Sequence, residues 1–252
     1  MEPLRVSLVG ASGRMGQAVQ DCARRHPETF ALIGMPGRGD DWTAAFEHCD
    51  AVIDFSLPET TDALIEAVVA AGKPLVVGTT GHDDEGRGRI AQAAKSVPIL
   101  LAANFSVGVN ALFWLTRKAT EILGPDFDLE VIETHHRLKK DAPSGTARRL
   151  VEILADVRRL RLERDLRPGR VGNAGPREAN EIGVHSVRGG DVVGEHTVLF
   201  AGMGERVELT HRAASRETFA AGALRAAAWL VRQKSGRIYD MEDVLGLREG
   251  DS

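Results

Sequence analysis

The chain of 252 residues is 43% hydrophobic and 27% charged and carries a formal charge of −4, which fits a globular protein of one large or two modest domains. This mildly acidic balance argues against a general nucleic-acid-binding protein, because such proteins usually carry a basic surplus. The two cysteines, Cys22 and Cys49, lie in no CxxC or Cys/His cluster, so we expect reduced thiols and no metal site. No apolar run approaches the ~18 residues of a membrane helix, and no charged leader precedes such a run at the N-terminus. We therefore expect a cytoplasmic protein.

The first hundred residues alternate between short apolar runs and amphipathic patterns. Five buried strands are predicted by the runs LRVSLV, FALIG, DAVIDFS, PLVVGTTG and PILLAANFS. Helices are predicted between them, for example where Met15, Val19 and Cys22 recur at helical spacing and where Gly72 is placed to end a helix that begins near Pro58. Such alternation is typical of a Rossmann-like α/β domain with an open parallel sheet, and ligands of these sheets bind beyond the carboxyl ends of the strands.

A glycine-rich loop follows the first predicted strand. Gly10 permits a tight turn, Gly13 lets the backbone approach a pyrophosphate, and Gly16 allows close packing of helix on strand. The spacing is GxxGxxG, which by itself is also compatible with a turn that binds nothing. The loops GTTG (residues 78–81) and AANFS (residues 102–106) place small and hydroxyl residues at two further strand ends. Three such loops, all expected at the carboxyl edge of the predicted parallel sheet, favour a dinucleotide site.

The end of the second predicted strand bears on the choice between NADPH and NADH. Arg38 lies there and favours the extra phosphate of NADPH, whereas an Asp or Glu at this place favours the ribose hydroxyls of NADH. Asp40 and Asp41 follow closely, and Arg38 is also compatible with a solvated loop residue. The residues therefore favour NADPH as the cofactor and leave NADH as the alternative.

The second half of the chain shows a different pattern. A helix is predicted over Phe113–Leu123, followed by a strand, DLEVIETHH, in which Leu129, Val131 and Glu133 share one face. Several antiparallel strands are predicted over residues 183–213 and a long surface loop over residues 156–180. An apolar helix that returns to the first domain is predicted over residues 217–236. We therefore predict a discontinuous dinucleotide-binding domain over residues 1–106 and 216–252. Residues 107–215 form an α+β substrate-binding domain with a mixed, largely antiparallel open sheet.

The run HHRLKKDAPSGTA concentrates positive charge in an acidic chain. A helix that begins near Gly145, with Ser144 or Thr146 at or beside its cap, offers N–H groups to an anion. Lys139 and Lys140, with His136, add cationic donors, which suits a small substrate with more than one carboxylate. A histidine in this field can titrate near neutral pH and donate a proton.

Two other interpretations of this run are weaker. A metal site would need carboxylate or thiol companions; Glu133 is near, but cations at positions 137, 139 and 140 would repel a metal ion. A nucleic-acid patch would show interleaved aromatic residues, and none lies between Asp128 and Phe200. We expect anion binding with acid catalysis and no metal.

These motifs resemble one family over nearly the whole chain. The similarity is carried by VGASGRMG, VIDFS, VVGTTG, AANFSVGVN, HHRLKKDAPSGTA, RGGDVVGEHTVLF and SGRIYDMEDVLGL. On these motifs the chain resembles the 4-hydroxy-tetrahydrodipicolinate reductases, also called dihydrodipicolinate reductases. The resemblance implies the NAD(P)H-dependent reduction of 4-hydroxy-tetrahydrodipicolinate to tetrahydrodipicolinate in diaminopimelate and lysine biosynthesis. It also implies a cytoplasmic homotetramer assembled through the sheet of the second domain, with no nucleic-acid or membrane partner.

The resemblance also implies roles for individual residues. His135 matches the proton donor or acceptor, Lys139 the proton donor, and His136, Gly145 and Thr146 the contacts to the substrate carboxylates. Arg216 is placed toward the cofactor. The remaining implied cofactor contacts are Gly10, Ala11, Ser12, Gly13, Arg14, Met15, Gly78, Thr79, Thr80, Ala102, Ala103, Asn104 and Phe105.

Two other functions stay compatible with the residues alone. A different enzyme on the same scaffold, such as an amino-acid dehydrogenase or another imine reductase, would turn over a monocarboxylate and would not depend on Thr146. A non-catalytic NADPH sensor would bind the cofactor without turnover, but such a sensor has no need of the His135/Lys139 pair.

Overall fold

The computed structural model describes residues 2–37 and 39–248. Arg38, one of the predicted cofactor residues, lies outside the described residues. The chain forms two compact units. One contains the residues up to Val107 together with those from Arg216 onward, and the other is Gly108–Ser215.

Strands and helices alternate in the first part of the chain, and strands predominate later. The strands are β1 (Leu4–Val9), β2 (Phe30–Gly34), β3 (Ala51–Asp54), β4 (Leu75–Val77), β5 (Ile99–Leu101), β6 (Asp128–His135), β7 (Leu166–Pro168), β8 (Ile182–Arg188), β9 (Gly194–Ala201), β10 (Arg206–Ala213) and β11 (Ile238–Tyr239). The helices are α1 (Arg14–Arg25), α2 (Trp42–Phe46), α3 (Thr61–Ala71), α4 (Asp84–Ala93), α5 (Val107–Leu123), α6 (Gly145–Arg158), α7 (Leu162–Asp165), α8 (Glu217–Leu230) and α9 (Met241–Leu245). Short 3₁₀ turns precede α3 and follow α5.

The first unit is built on a six-stranded sheet in the order β11-β5-β4-β3-β1-β2, with every pair parallel. Buried residues of α1 and α8 form a core with Val6, Leu8 and Ile53 on one face. Buried residues of α2, α3 and α4 form a second core with Val52 and Leu75 on the other face. The predicted Rossmann-like parallel sheet is therefore confirmed, and both of its faces are covered as a parallel sheet requires.

The carboxyl ends of four strands lie in one row. Val9 pairs with Asp54, Asp54 with Val77, and Val77 with Leu101. The strand order reverses between β1 and β3, because the chain moves outward from β1 to β2 and then returns to β3 on the other side. A crevice at such a reversal is where open α/β sheets bind their ligands.

Several helix ends follow from local sequence. Gly72 takes a positive φ of 63° after α3, as the prediction of a glycine-ended helix requires. The predicted start of α5 at Phe113 is wrong, because the helix begins at Val107. Its buried residues Val109, Leu112 and Thr116 recur at spacings of three and four, so the helical pattern extends through this earlier part. The short elements α2, α9 and β11 lacked a periodic pattern long enough to predict them.

The second unit contains a five-stranded sheet in the order β10-β9-β6-β8-β7. The prediction of a mixed sheet is confirmed, and its pairs divide evenly: β10–β9 and β9–β6 are antiparallel, whereas β6–β8 and β8–β7 are parallel. The strands within residues 183–213 alternate in direction as predicted, but the expectation of a largely antiparallel sheet is wrong, because β6 and β8 pair in parallel. The reason is α6, which carries the chain back to the amino end of the sheet before β7 and β8 begin.

The prediction of one surface loop over residues 156–180 is also wrong in part. Helix α6 continues to Arg158, and α7 and β7 occupy residues 162–168. The rest of the segment is tied to β6 by ion pairs. Arg177 contacts Asp128 at 2.8 Å and Glu130 at 3.2 Å, and Arg170 contacts Glu130 at 2.8 Å. The loop is therefore anchored to the sheet face opposite α6.

The core of the second unit lies between α6 and one sheet face. Leu150 and Leu154 of α6 pack with Val131, Val198 and Phe200. The alternation predicted for β6 is confirmed, since its residues alternate between buried and partly buried from one end to the other. In the described part of the chain, no helix is both long and apolar enough to cross a membrane.

Candidate functional site

Three loops with predicted cofactor residues meet at the carboxyl rim of the first sheet. The amide of Gly78 donates to the Asp54 carbonyl at 2.8 Å, and the amide of Ala102 donates to the Val77 carbonyl at 3.1 Å. Through these bonds, the first residue after β4 and the first residue after β5 stay aligned with the neighbouring strand. The glycine loop after β1, residues 78–80 after β4 and residues 102–105 after β5 therefore share one rim.

The glycine loop has the geometry of an anion cradle. Gly10 has a φ of 80°, and a Cβ there would lie 2.3 Å from the carbonyl oxygen of Phe55. A Cβ on Gly16 would lie 2.2 Å from the Gly10 carbonyl oxygen, so α1 can start this close to the loop only with glycine. Gly13 is the N-cap of α1 and makes no side-chain capping bond. The helix thus directs its first N–H groups toward the rim, which fits a pyrophosphate group.

The other rim residues differ in exposure. Thr80 and Ala103 are exposed, whereas Thr79 and Phe105 are buried. The Asn104 side chain accepts a hydrogen bond from the Ser106 amide at 2.9 Å, and Phe105 packs edge-on against Phe55 with ring centroids 5.6 Å apart. Exposed loop residues are available to a ligand, and the buried ones shape the rim beneath it.

Asp54 is a polar rim residue that the sequence analysis missed. It is 1% exposed at the end of β3 and accepts hydrogen bonds from the amide and hydroxyl of Ser56 at 2.9 and 2.5 Å. Burial raises the pKa of its carboxyl group, against the opposing effect of the Ser56 hydroxyl. An aspartate inside the apolar run VIDFS was the signal available in the sequence.

The acidic residues near the end of β2 have local partners. Asp40 accepts a hydrogen bond from the Gly37 amide at 2.7 Å, and Asp41 caps α2 by accepting from the Ala44 amide at 3.2 Å. Both carboxylates therefore shape the loop that follows β2.

Arg216 is the predicted cofactor residue that lies late in the chain, where α8 returns to the first unit. Arg216 is exposed at the start of α8, and its neighbour Glu217 forms an ion pair with Arg25 at 2.9 Å. Arg25 lies in the last turn of α1, whereas the glycine loop lies at the first turn. The contact of Arg216 with the cofactor stays a prediction.

In the second unit, His135 ends strand β6 and is 8% exposed. Its Nδ1 lies 2.5 Å from a carboxylate oxygen of Glu133, and its ring packs edge-on against His196 at 5.1 Å between centroids. Burial lowers the pKa of His135, and the Glu133 carboxylate opposes that effect. The structure therefore gives His135 an ionisable partner that the sequence analysis did not assign to it.

Lys139 lies on the loop between β6 and α6, in which the Lys139 amide donates to the His136 carbonyl at 3.1 Å. Its ammonium group pairs with Asp141 at 2.9 Å. A hydrogen bond from Lys139 lowers the pKa of the Asp141 carboxyl group. Lys139 is one of the cationic side chains that lower the pKa of His135, so the two residues lie within electrostatic range of each other. The predicted pair of proton-transfer residues is therefore brought together.

Helix α6 begins where the sequence predicted an anion pocket. Ser144 is its N-cap, and the Ser144 hydroxyl accepts from the Ala147 amide at 3.2 Å. Gly145 and Thr146 form the first turn, and Gly145 is exposed. The positive end of the helix dipole thus lies on the same loop as His136 and Lys139.

Two further residues of this site were missed. Arg188 donates to both carboxylate oxygens of Glu133 at 2.8 Å, and His196 lies 3.0 Å from the Ser144 hydroxyl through its Nε2. The partners are 55 and 52 residues apart, so no local pattern indicates them. Among the described residues, no group of histidine, cysteine and carboxylate side chains could hold a metal ion.

Comparison with known proteins decides the family. The family model for the N-terminal part of dihydrodipicolinate reductase matches residues 4–105, and the model for the C-terminal part matches residues 108–245. The chain belongs to the dihydrodipicolinate reductase family. The 4-hydroxy-tetrahydrodipicolinate reductase of Akkermansia muciniphila is 54% identical over 98% of this chain and 99% of its own length. That of Thiobacillus denitrificans is 45% identical over 97% of this chain and 99% of its own length.

A solved structure has the same fold. It is the dipicolinate-bound dihydrodipicolinate reductase from Paenisporosarcina sp. TG-14, with a TM-score of 0.75, 24% identity and coverage of 96% of this chain and 99% of that one. As a dihydrodipicolinate reductase, the chain is an oxidoreductase that reduces 4-hydroxy-tetrahydrodipicolinate in diaminopimelate and lysine biosynthesis. Its N-terminal domain is the nucleotide-binding domain of an NAD(P)H-dependent family. The alternatives of another imine reductase and of a non-catalytic sensor are not supported.

Proposed function

We propose that the two predicted domains divide the reaction between cofactor and substrate. Residues 1–106 and 216–252 bind the dinucleotide, and residues 107–215 bind the substrate. The shared rim supports the first assignment, because it presents the glycine loop, residues 78–80 and residues 102–105 together. When bound, NAD(P)H supplies the hydride. The residues of the glycine loop, Gly10 to Met15, hold its pyrophosphate against the start of α1.

NADPH is the preferred cofactor in this proposal, and NADH is also accepted. The local hydrogen bonds of Asp40 and Asp41 support this preference, because they engage the two carboxylates that could otherwise compete for ribose hydroxyls. Arg38 lies between β2 and these residues in the sequence and supplies the cation for the additional phosphate.

The substrate is a cyclic dicarboxylate held at the start of α6. One carboxylate binds at the helix N-terminus beside Gly145 and Thr146, where the dipole and the backbone N–H groups favour negative charge. The side chain of His136 meets a carboxylate of the substrate. The ion pair of Lys139 with Asp141 opens when the substrate arrives, because a substrate carboxylate replaces Asp141 as the anionic partner.

His135 or Lys139 supplies the one proton that the reduction consumes. His135 holds its exchangeable proton at Nε2, since Nδ1 faces Glu133. The observation that carries this assignment is the placement of an ionisable His135 and a cationic Lys139 on either side of the turn that leads to the α6 N-terminus. General acid catalysis of this kind contributes roughly 10²–10⁴-fold to a rate.

A coupled assay tests the proposal. The substrate is generated in place from pyruvate and aspartate semialdehyde with the preceding synthase, and oxidation of NADPH and NADH is followed separately. We expect Lys139→Ala to lower kcat by about 100-fold with cofactor affinity unchanged. Lys118→Ala is the matched control, because Lys118 also pairs with a nearby carboxylate, that of Glu121 at 3.2 Å, away from this loop. Parent-like turnover in Lys139→Ala would remove Lys139 from the mechanism.

The assembly is a cytoplasmic homotetramer formed through the second sheet. The face of this sheet away from α6 supports the proposal, because Ile132, Thr197 and Leu199 are only half-buried there in a single chain. Light scattering after size-exclusion chromatography checks it, and a mass of one 27.2 kDa chain would contradict it.

A further inference from the structure

Glu133 is a fully buried carboxylate with three kinds of partner. It is 0% exposed on β6, and Arg188 donates to both of its oxygens at 2.8 Å. The Ser144 amide at the start of α6 donates to one oxygen at 3.2 Å, and His135 Nδ1 lies 2.5 Å from the other. Burial opposes ionisation of Glu133, but hydrogen bonds from Arg188, Ser186 and His135 outweigh it and lower its pKa to about 2. The bidentate ion pair with Arg188 therefore holds Glu133 as an anion.

An ionised carboxylate can only accept hydrogen bonds, so the ring nitrogen that faces it must carry the proton. This fixes the neutral His135 as the Nδ1–H tautomer and leaves Nε2 as the nitrogen that gains and loses a proton. The space beside Nε2 is kept open by Gly194, since a Cβ at that position would lie 3.0 Å from Nε2. Glu133 therefore fixes the Nδ1 edge of the ring, and the Nε2 edge, which faces Gly194 and meets no side chain there, is called the open edge.

Arg188 also contacts the loop between β6 and α6, which carries Lys139. In addition to Glu133, it donates to the Asp141 carbonyl at 2.7 Å, and Asp141 pairs with Lys139. The Gly189 amide, next along the chain, donates to the His135 carbonyl at 2.9 Å. Glu133 and Arg188 thus connect His135 to the loop between β6 and α6. Glu133 also accepts a hydrogen bond from the Ser144 amide at the start of α6.

We propose that Glu133 is a positioning residue for the reduction, which acts by holding His135 in the Nδ1–H tautomer with Nε2 directed to the open edge. His135 releases its Nε2 proton to the substrate and recovers one from solvent, while Glu133 stays ionised and keeps the Nδ1 hydrogen bond. The inference rests on the proton-transfer role of His135 proposed above. The charged and titratable groups that act on His135 are Glu133 from its own strand, Arg188 from β8, His196 from β9 and Lys139 from the loop between β6 and α6.

The first test needs no substitution at Glu133. In the parent protein labelled with ¹⁵N-histidine, the ring nitrogen signals of His135 report its tautomer, and they are assigned by their loss in His135→Asn. We expect the Nδ1–H form of His135 in the neutral state. A neutral His135 protonated at Nε2 would overturn the proposal.

The second test is kinetic and uses Glu133→Gln, which keeps the size of the side chain and removes the charge. We expect kcat to fall by about 100-fold and the substrate KM to stay within about threefold of the parent value. The substitution misplaces His135 but leaves the substrate contacts in place. The carboxylate raises the pKa of His135, so its removal also moves the alkaline decline of kcat/KM to lower pH, by about one unit. An unshifted alkaline decline with parent-like kcat would overturn the proposal.

Glu130→Gln is the matched control, because Glu130 lies on the same strand, faces the opposite side of the sheet and also pairs with arginines. Its activity per folded protein should stay within about twofold of the parent. If Glu133→Gln does not fold, Glu133→Asp serves in its place. It keeps the charge, so it should retain the parent pH profile with a reduced kcat, and a profile shifted like that expected for glutamine would contradict the proposal.

His135→Asn separates this inference from the proposed function. An inactive His135→Asn beside a fully active Glu133→Gln would leave the role of His135 standing and reject that of Glu133. An active His135→Asn would reject the proton-transfer assignment itself, and the positioning role would fall with it.

Discussion

His196 should make the protein lose stability in mild acid. It is 4% exposed on β9, and burial, together with repulsion from His135, lowers its pKa from 6.5 to about 4. Because the folded-state pKa is depressed, the unfolded chain binds a proton below pH 6.5 that the folded chain rejects. The contribution is therefore fully present above pH 6.5 and is lost as the pH falls toward 4. Proton binding with a pKa of 6.5 in the unfolded chain and about 4 in the folded chain lowers the free energy of unfolding by about 2 kcal/mol between pH 7 and pH 5.

Urea unfolding at pH 7 and pH 5, at one protein concentration, measures this loss. The parent should lose about 2 kcal/mol more than His196→Gln, in which nothing titrates at this position. Val198→Ala is the control, because Val198 is a fully buried neighbour on the same strand whose truncation lowers stability equally at both pH values. Equal losses in the parent and in His196→Gln would refute the assigned environment of His196.

Two glycine substitutions test the geometry of the two units, and a third substitution, at Arg38, tests the proposed cofactor preference. Gly222→Ala places a Cβ 1.8 Å from the Phe105 carbonyl oxygen, so thermal unfolding should show a loss of about 3 kcal/mol, and an unchanged melting temperature would contradict this packing. Gly194→Ala crowds Nε2 of His135, and kcat should fall about tenfold with the fold intact by circular dichroism. Full turnover would show that this edge of the ring is not used. Arg38→Ala should raise the KM for NADPH by about tenfold and leave that for NADH unchanged, whereas equal effects on both would reject a phosphate contact.

The parts of the fold that could be predicted are those encoded by short-range pattern. The alternation of β6 follows from residues two apart, and it correctly placed Leu129, Val131 and Glu133 on one face. The glycine loop was predictable because Gly10 and Gly16 meet backbone that a Cβ would strike. Patterns of this kind depend on local geometry, which the sequence carries directly.

The parts that could not be predicted depend on register between distant segments. Arg188 reaches Glu133 only because β6 and β8 pair in parallel, with Glu133 opposite Ser186 and His135 opposite Arg188. The crossover between these two strands also contains β7, which could not be predicted because it has only three residues within a stretch rich in arginine. Whether a charged residue lies in solvent or against a buried partner is settled by such pairing and not by its neighbours in sequence.

The discontinuous first unit has a consequence for the order in which the protein folds during synthesis. The face of its sheet formed by Val6, Leu8 and Leu100 is covered partly by α8, which is translated only after the whole of Gly108–Ser215. At common translation speeds, about 10 s separates the appearance of β5 from that of α8. The second unit is contiguous and can complete its core in that interval, while the nascent first unit still exposes apolar surface. The ribosome-bound chain should therefore bind chaperones most strongly through its N-terminal hundred residues, and that binding should end when α8 emerges.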